Sequence, residues 1–299
     1  MPLHPRTSAL LAVAMKGIGV LLFLWILLRL DIRQAVAVLG SVPMPVLFAA
    51  LGLFPALYLL RSWRWHILSD LAPHRGPFAE SVRIYCASLF LGIVTPGKVG
   101  EAFKIPALVK KGLSPKLSVL LTILDRMLDM ACVGALGIVA VGILFSWLWA
   151  FLLTLCTAIA LAVMAAISHI GALRRSAAVQ HWLHQLPQVT LLTLVSWAVY
   201  YLQLLVLAKG FAIAIPIAPF LAIMTITGIL SLVPIAPAGL GTREAALLFF
   251  FAQYGVEPER TIAFSFSIFV LTIIGSLIGT YFWLRKPYPS PSHAAPAGI

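Results

Sequence analysis

Three charged residues lie within five positions of one long apolar stretch: Asp125, Arg126 and Asp129. On a helix, Asp125 and Asp129 share one face, while Arg126 is offset by about 100° and can reach a partner on the adjoining face. Unpaired at the centre of a membrane helix, the three charges would cost about 8–10 kcal/mol. We therefore expect them to form ion pairs inside a helix bundle.

Two glutamates, Glu101 and Glu244, each follow a Pro- and Gly-rich break in an apolar stretch, at residues 95–100 and 234–241. Such breaks end a helix. Non-helical backbone is tolerated at membrane depth only where protein or a wet cavity covers it, so two breaks in one chain predict a binding site. The cationic residues near these breaks are Lys98, Lys104 and Arg243.

The functional interpretation starts from Gly100 and Gly241, which are expected to open short helices. Free backbone N–H groups at such helix starts can bind an anion such as a lipid phosphate, assisted by Lys98 and Arg243. The carboxylates of Glu101, Glu244, Asp125 and Asp129 would then exchange protons, or compete with the anion for the cations. This pattern is more typical of a transporter than of an enzyme.

Two structural interpretations of the same residues stay open. In the first, the charges serve only to hold the broken segments against the helix at 117–145, for example through an Arg126–Glu101 pair. Alternatively, Glu101 and Glu244 cap the helices that follow them. Neither interpretation explains why the same Glu and Pro-Gly pattern occurs twice.

The composition places these residues in a membrane protein. Of 299 residues, 62% are hydrophobic and 10% charged, against about 45–50% and 25% in soluble domains. With a mean hydropathy of +1.04, the chain accommodates several membrane crossings. The net charge of +12 is assigned to cytoplasmic loops, and no nucleic-acid partner is expected. The three cysteines lack metal-ligand spacing, and no metal or other cofactor is predicted.

Six continuous apolar helices are predicted, and two interrupted segments lie between them at 78–111 and 218–254. The continuous helices are expected at 9–30, 45–68, 117–145, 147–169, 188–212 and 260–284. Residues 174–186 have the pattern of an interfacial amphipathic helix. One membrane domain is thus expected over residues 1–286, followed by a disordered tail at 287–299.

The two interrupted segments match each other at a constant offset. Glu101 is followed eleven residues later by Gly112, and Glu244 at the same spacing by Gly255, so both pairs are separated by 143 residues. We interpret this as an internal repeat, with copies at about 45–145 and 188–284.

The positive-inside rule decides the topology. If each interrupted segment is a re-entrant hairpin, the Lys and Arg residues outside the hairpins and helix cores divide eleven against four between the two faces of the membrane. If each segment crosses the membrane once, the same residues divide seven against eight. With hairpins, the first face holds Arg6, Arg61, Arg64, Arg75, Lys110, Lys111, Lys116, Arg174, Arg175, Arg285 and Lys286. The expected fold is all-α, with about six spanning helices, two oppositely entering hairpins in an inverted repeat, and both termini cytoplasmic.

Motifs of the common enzyme classes are not found: the chain has no G-x-S-x-G, H-E-x-x-H or P-loop sequence. Asp125 and Asp129 could hold Mg²⁺ for phosphoryl-lipid chemistry, but a single D-x-x-x-D is a weak pattern. We therefore expect no catalytic residues and no enzyme activity.

Three pieces of the sequence resemble the flippase-like membrane family that includes the transmembrane domain of lysylphosphatidylglycerol synthase. They are residues 96–104, residues 125–129 and, most specifically, the Pro, Gly-Leu-Gly and Glu of residues 237–244. Lys104 stands where Arg is usual in the family, and Asp125 where Glu is usual. The resemblance extends over about 50–284 and implies an integral membrane protein that moves or binds an amphiphilic lipid, or assists a lipid-modifying pathway. Full-length synthases add a soluble domain that makes the aminoacyl lipid; because none follows residues 260–284, aminoacyl transfer is not expected.

The sequence therefore predicts translocation of an anionic phospholipid or polyprenyl-type lipid across a bacterial-type inner membrane. The alternative is a non-transporting protein that binds lipid or holds a biosynthetic enzyme at the membrane. The predicted substrate-binding residues are Lys98, Gly100, Glu101, Lys104, Asp125, Arg126, Asp129, Gly239, Gly241, Arg243 and Glu244.

Overall fold

The computed structural model describes residues 32–71, 76–168, 177–231 and 241–285, and no strand occurs in these ranges. The helices of this part of the chain are numbered in order: α1 (Ile32–Ser41), α2 (Met44–Leu68), α3 (Phe78–Val94), α4 (Lys104–Lys110), α5 (Pro115–Leu144), α6 (Trp147–Ser168), α7 (Ala177–Gly210), α8 (Ile217–Leu230), α9 (Thr242–Ala252) and α10 (Pro258–Leu284). Two 3₁₀ segments, Ser69–Leu71 and Pro96–Phe103, complete them.

In the part of the chain that the structure describes, four stretches are long and apolar enough to cross a membrane: α2, α5, α10 and residues His184–Gly210 of α7. The continuous helices predicted for α2, α5, α6 and α10 are confirmed as helices to within about two residues. The first predicted helix, 9–30, and the tail at 287–299 lie outside the described residues. The total of six spanning helices stays a prediction.

Two helix predictions need correction. Residues 32–41 form α1, which the sequence analysis did not identify. Residues 177–186 belong to the continuous helix α7 and are not a separate amphipathic helix. Pro187 lies inside α7 without ending it. The charged face predicted at 174–186 is not a helix boundary, because a change of polarity along a helix does not by itself end the helix.

The first predicted break is confirmed between α3 and α4. Pro96 has no N–H and drives Thr95 into extended backbone, so α3 ends there. The chain then folds back in the 3₁₀ segment, where the Gly100 N–H donates to Thr95 Oγ1 at 2.7 Å. A side chain at Gly100 would overlap the backbone of Leu91. Glycine at this position therefore permits the tight return of the chain against α3.

The second interruption separates α8 from α9, and residues 232–240 between them lie outside the described residues. At about 1.5 Å per residue, α8 with 14 residues and α9 with 11 residues are each shorter than the roughly 30 Å hydrocarbon layer. Gly241, before α9, has φ +87°, in the left-handed region that favours glycine. Neither helix alone has the length of a membrane crossing.

The two halves pack by exchanging partners. The first helices of the halves, α2 and α7, contact each other; α3 packs on α10, and α8 packs on α5. A glycine lies at each exchanged crossing: Gly279 of α10 faces Cys86 and Phe90, and Gly137 of α5 faces Ile229. Small residues allow helices to approach closely in a membrane. Each interrupted segment is thus held by the last helix of the other half.

Candidate functional site

Arg64, on α2, lies at the centre of the buried charges. Its Nη2 is 2.7 Å from Asp125 Oδ1 and its Nη1 is 2.6 Å from Asp129 Oδ1, while Nη1 also donates to Thr193 Oγ1 at 3.1 Å. The side chain is 1% exposed. Arg64 is counted above with the charges of the cytoplasmic face, but it is a buried and paired residue of α2. Arg61 also lies inside α2, and leaving both out changes the predicted charge division to nine against four.

Lys104 is the first residue of α4 and binds the other oxygen of Asp125. Its Nζ lies 2.7 Å from Asp125 Oδ2. The ammonium group also faces two aromatic rings, 4.1 Å from the centroid of Tyr85 and 4.8 Å from that of Trp65. Aromatic faces attract a cation electrostatically. The turn from the 3₁₀ segment into α4 thus places the fully buried Lys104 ammonium group against α5.

The predicted Arg126–Glu101 pair is confirmed. Arg126 Nη1 is 2.9 Å from Glu101 Oε2 and donates to Oε1 at 3.2 Å, and Nη2 donates to the Tyr85 hydroxyl and to Asp125 Oδ2. Glu101 occupies the space left by Gly92, since any side chain at Gly92 would collide with the Glu101 side chain. Arg126 is 27% exposed, which makes it the most accessible charged group of the six. Those six, called the ion network below, are Arg64, Glu101, Lys104, Asp125, Arg126 and Asp129.

The ion network is balanced, with three cations and three carboxylates. A buried pair is tolerated when each charge keeps its partner, whereas removing one partner leaves a costly unpaired charge. The network therefore acts as one unit that ties α2, the 3₁₀ segment and α4 to α5. Asp125 is the common member, since it contacts Arg64, Lys104 and Arg126.

Glu244 lies in a second, smaller cluster at the start of α9. Its Oε2 accepts the Gly241 N–H at 2.6 Å, and its Oε1 accepts from Ser265 Oγ at 2.7 Å and from Arg243 Nη2 at 2.9 Å. Arg243 Nε also donates to Ser265 Oγ at 2.9 Å. The capping interpretation is therefore confirmed for Glu244. We call these four residues the Glu244 cluster.

Three details of the predicted site differ from the structure. Gly100 does not open a helix but lies inside the 3₁₀ segment, and its N–H is used by Thr95. The Gly241 N–H is used by Glu244, so neither group is free for an anion as predicted. Glu244 meets Ser265 of α10 rather than α5. A carboxylate three positions after the N-cap residue accepts the backbone N–H of that residue, so this N–H is not available to an external ligand.

The remaining predicted residues are only partly described. The backbone of Lys98 lies in the 3₁₀ segment, and Gly239 lies outside the described residues. Among the described residues, no hydrogen bond or ion pair joins the ion network to the Glu244 cluster. The same part of the chain contains no group of three His, Cys, Asp or Glu suited to a metal ion. The oxygens of Asp125 and Asp129 instead face cations.

The fold and these buried charges define the class: an integral membrane protein of helices that carries ionisable groups inside its membrane part. The family comparison is consistent with this class. The model of the lysylphosphatidylglycerol synthase TM region matches residues 9–279, and the chain belongs to that family. A comparison with curated proteins gave no match. The family links this membrane protein to lipid metabolism or transport.

Proposed function

We propose that the protein moves an anionic or polyprenyl-type lipid between the leaflets of the cytoplasmic membrane. The observation that carries this proposal is the occurrence, 143 residues apart, of two buried glutamates that each bind an arginine beside a helix interruption. Ionisable groups in membrane segments are costly, and they mark substrate or ion pathways. A purely structural role does not explain why a buried glutamate bound to an arginine occurs beside both helix interruptions.

The proposed architecture is two re-entrant hairpins in an inverted repeat, with both termini cytoplasmic. It is supported by the short helices α8 and α9, by the exchanged packing of α3 with α10 and α8 with α5, and by the nine-to-four charge division. Transporters with inverted repeats place their sites where interrupted helices of the two halves meet.

Within the ion network, exposure separates a fixed part from an exchangeable part. Arg64 and Lys104 are 1% and 0% exposed and hold Asp125 and Asp129 in place. Arg126 is more accessible and touches Glu101, so it is the group that can leave its carboxylate for a lipid phosphate. Movement of Glu101 away from Arg126 would free Nη1 of the guanidinium for a phosphate oxygen, while Nη2 stays bonded to Asp125.

The proposal is tested by lipid exchange in reconstituted vesicles. Glu101→Gln and Glu244→Gln keep the side-chain shape but remove the charge, and each should slow exchange of a labelled anionic phospholipid by about tenfold, or about 1.4 kcal/mol in the barrier. Glu257→Gln is the matched control, because this carboxylate is 55% exposed and contacts only the neighbouring Arg260. Thermal unfolding of all variants verifies that they are folded.

Wild-type protein that exchanges no lipid above empty vesicles would overturn the transport proposal. If an associated lipid-modifying enzyme still required the protein for activity, the scaffold alternative would replace it. Scaffolding through exposed loops predicts no effect of Glu101→Gln or Glu244→Gln on that enzyme.

The topology is tested separately by cysteine labelling. The native Cys86, Cys132 and Cys156 are first replaced by alanine. Single cysteines at the exposed positions Lys110 and Glu257 should then react with a membrane-impermeant reagent from opposite sides, with Lys110 accessible from the cytoplasm. Labelling of both positions from one side would contradict the inverted repeat.

A further inference from the structure

Arg61, on α2, is a cation that belongs to neither of the two charge clusters. Among the residues that the structure describes, it makes no hydrogen bond and no ion pair, and its buried Nε has no partner. A guanidinium always carries its charge and offers several N–H donors. Leaving such donors and such a charge unsatisfied in a protein interior is costly. A ligand that accepts hydrogen bonds and carries negative charge would therefore be stabilised at Arg61.

Arg61 points into the helix bundle and not towards lipid. Tyr58 and Trp65, one turn before and one turn after it on α2, are both buried. Groups on three other helices lie within electrostatic reach of the guanidinium: Tyr85 of α3, Asp129 of α5 and Tyr200 of α7. The Asp129 carboxylate is already bound by Arg64 and does not neutralise a second cation.

Arg61 also lies between the ion network and the Glu244 cluster. Tyr85 is within electrostatic reach of both Arg61 and Arg126, and Tyr200 is within reach of both Arg61 and Arg243. None of the three arginines is fully enclosed, since Arg126 is 27% exposed, Arg243 is 13% exposed and Arg61 is half-buried. Partial exposure of groups inside a bundle requires open space beside them. The three guanidinium groups thus follow one another from the first half to the second, with Arg61 in the middle.

The height of Arg61 on α2 is close to that of Trp197 on α7. Two hydrogen bonds show that these helices run in opposite directions: Arg64 to Thr193, and Gln203 to the Ala50 carbonyl. Counting along both helices from either bond places Arg61 opposite about residues 192–196 of α7. Trp197 is the next residue along α7.

Trp197 and Tyr200 place two uncharged donors beside Arg61. Their rings are 5.6 Å apart between centroids, and the Tyr200 hydroxyl is the group within reach of Arg61. The Trp197 Nε1 is buried, and no described residue accepts its hydrogen. Buried indole N–H groups usually have a partner. An anion at Arg61 would supply an acceptor for this donor as well as for the guanidinium.

The described charges around Arg61 leave an excess of one positive charge. The ion network is balanced, and Arg243 is paired with Glu244. Only Arg61 then lacks a counterion among the charged groups of these helices that are described. A phosphodiester carries one negative charge, whereas a phosphomonoester carries about −1.5 to −2 at pH 7. The charge of this space therefore matches a phosphodiester better than a phosphomonoester.

We propose that Arg61 binds the phosphodiester headgroup of one anionic lipid between the ion network and the Glu244 cluster, with Trp197 and Tyr200 donating to the same phosphate. The site deepens the proposed function and rests on it for the lipid nature of the ligand. It names where the headgroup lies between Arg126 of one half and Arg243 of the other. Binding at this site does not itself require that the lipid crosses the membrane.

Binding is measured with purified protein in neutral detergent and radiolabelled phosphatidylglycerol. Arg61→Gln should weaken the apparent affinity by about tenfold, because charge-assisted hydrogen bonds to the phosphate are lost. Arg61→Lys keeps the charge without the planar fork and should have an intermediate affinity. Arg83→Gln, which removes an exposed cation from α3, is the matched control and should bind as the wild type does. Wild-type affinity in folded Arg61→Gln would contradict the site.

A second pair of variants tests the donor on α7. Trp197→Phe keeps an aromatic ring, removes the Nε1–H, and should weaken phosphatidylglycerol binding by about threefold. Trp63→Phe is the control, because Trp63 is 50% exposed and, two positions from Arg61, lies on nearly the opposite side of α2. The same loss in both variants would show that Trp197 has no specific part in binding.

Competition at pH 8 tests the class of anion. Phosphatidylglycerol should displace the labelled lipid at lower concentration than phosphatidic acid with the same acyl chains, because phosphatidic acid is a phosphomonoester with nearly two charges at this pH. Tighter binding of phosphatidic acid would contradict the charge match. Displacement of the lipid by millimolar inorganic phosphate would identify a free-phosphate site and overturn the lipid proposal.

The outcomes separate this site from transport. Phosphatidylglycerol binding that is independent of Arg61 would contradict the site even if the vesicles exchange lipid. Conversely, binding that depends on Arg61 and Trp197, in a protein that exchanges no lipid, would support the site and reject the proposed transport.

Discussion

Glu101 and Glu244 occupy matching positions of the proposed internal repeat, but their surroundings differ. Glu101 binds Arg126 from another helix and is part of a six-charge network. Glu244 binds its chain neighbour Arg243, the cap of its own helix and one serine. The positions 143 residues after Lys104, Asp125, Arg126 and Asp129 are uncharged: Leu247, Ile268, Phe269 and Thr272.

In the proposed repeat, the glutamate and the interruption recur, but the means of compensating the charge of the glutamate differs between the two copies. In the first half, charges on four elements must meet in the tertiary structure before any is compensated. In the second half, most partners of Glu244 are within three residues along the chain. We therefore expect substitutions in the ion network to lower the free energy of unfolding more than substitutions in the Glu244 cluster do.

The largest expected effect comes from Arg64→Gln. It leaves Asp125 and Asp129 without their main cation in a buried site, and it should lower the free energy of unfolding by about 3–5 kcal/mol. Arg61→Gln, one turn earlier on α2, should lower it by less than about 1 kcal/mol, because that side chain makes no ion pair with any residue that the structure describes. Thermal unfolding in one detergent compares the two.

Equal losses for Arg61→Gln and Arg64→Gln would contradict the distinction between a paired and an unpaired cation. The double variant Arg64→Gln/Asp129→Asn sharpens the test, since removing both partners should cost less than the sum of the single changes. Additive losses would show that Arg64 and Asp129 are not coupled.

A smaller effect is expected from Ser265→Ala, which tests the Glu244 cluster. Ser265 Oγ donates to Glu244 and accepts from Arg243, so its removal should cost about 1.5–3 kcal/mol. Thr122 is the equivalent residue of the first half, 143 positions earlier, and its hydroxyl bonds only the Ser118 carbonyl of its own helix. Thr122→Ala should therefore cost clearly less. Chemical denaturation of both variants measures the difference in the free energy of unfolding. A larger loss for Thr122→Ala would contradict the role of Ser265 in the Glu244 cluster.

The smallest effects should be equal in the two halves. Gly112 and Gly255 end α4 and α9 with φ +88° and +71°, and the following N–H closes the same turn in both: Leu113 to Leu108, and Val256 to Phe251. Replacing either glycine by alanine places a side chain in the left-handed region and should cost about 1–2 kcal/mol. Unfolding curves that differ strongly between Gly112→Ala and Gly255→Ala would show that the repeat does not extend to these turns.

Much of the local structure was predictable from the sequence because its causes are local. Long apolar runs predict α2, α5 and α10, and Pro96 ends α3 whatever packs around it. The Arg126–Glu101 pair was also predictable, since few charges lie in the apolar segments and each needs a partner. The capping role of Glu244 was foreseen as an alternative, because a Glu three residues after a helix start reaches the cap.

The tertiary structure alone decided which charges meet. Arg61 and Arg64 have the same side chain, lie one turn apart and precede the same helix end, and the sequence predicts the cytoplasmic end of the helix at 45–68 for both. Packing of α2 against α7 and α5 turns Arg64 towards Asp125 and Asp129, 61 and 65 residues away in the chain, and leaves Arg61 unpaired. A charge on a helix has a definite partner only when neighbouring helices fix its face and depth, and no property of the residue itself contains that information.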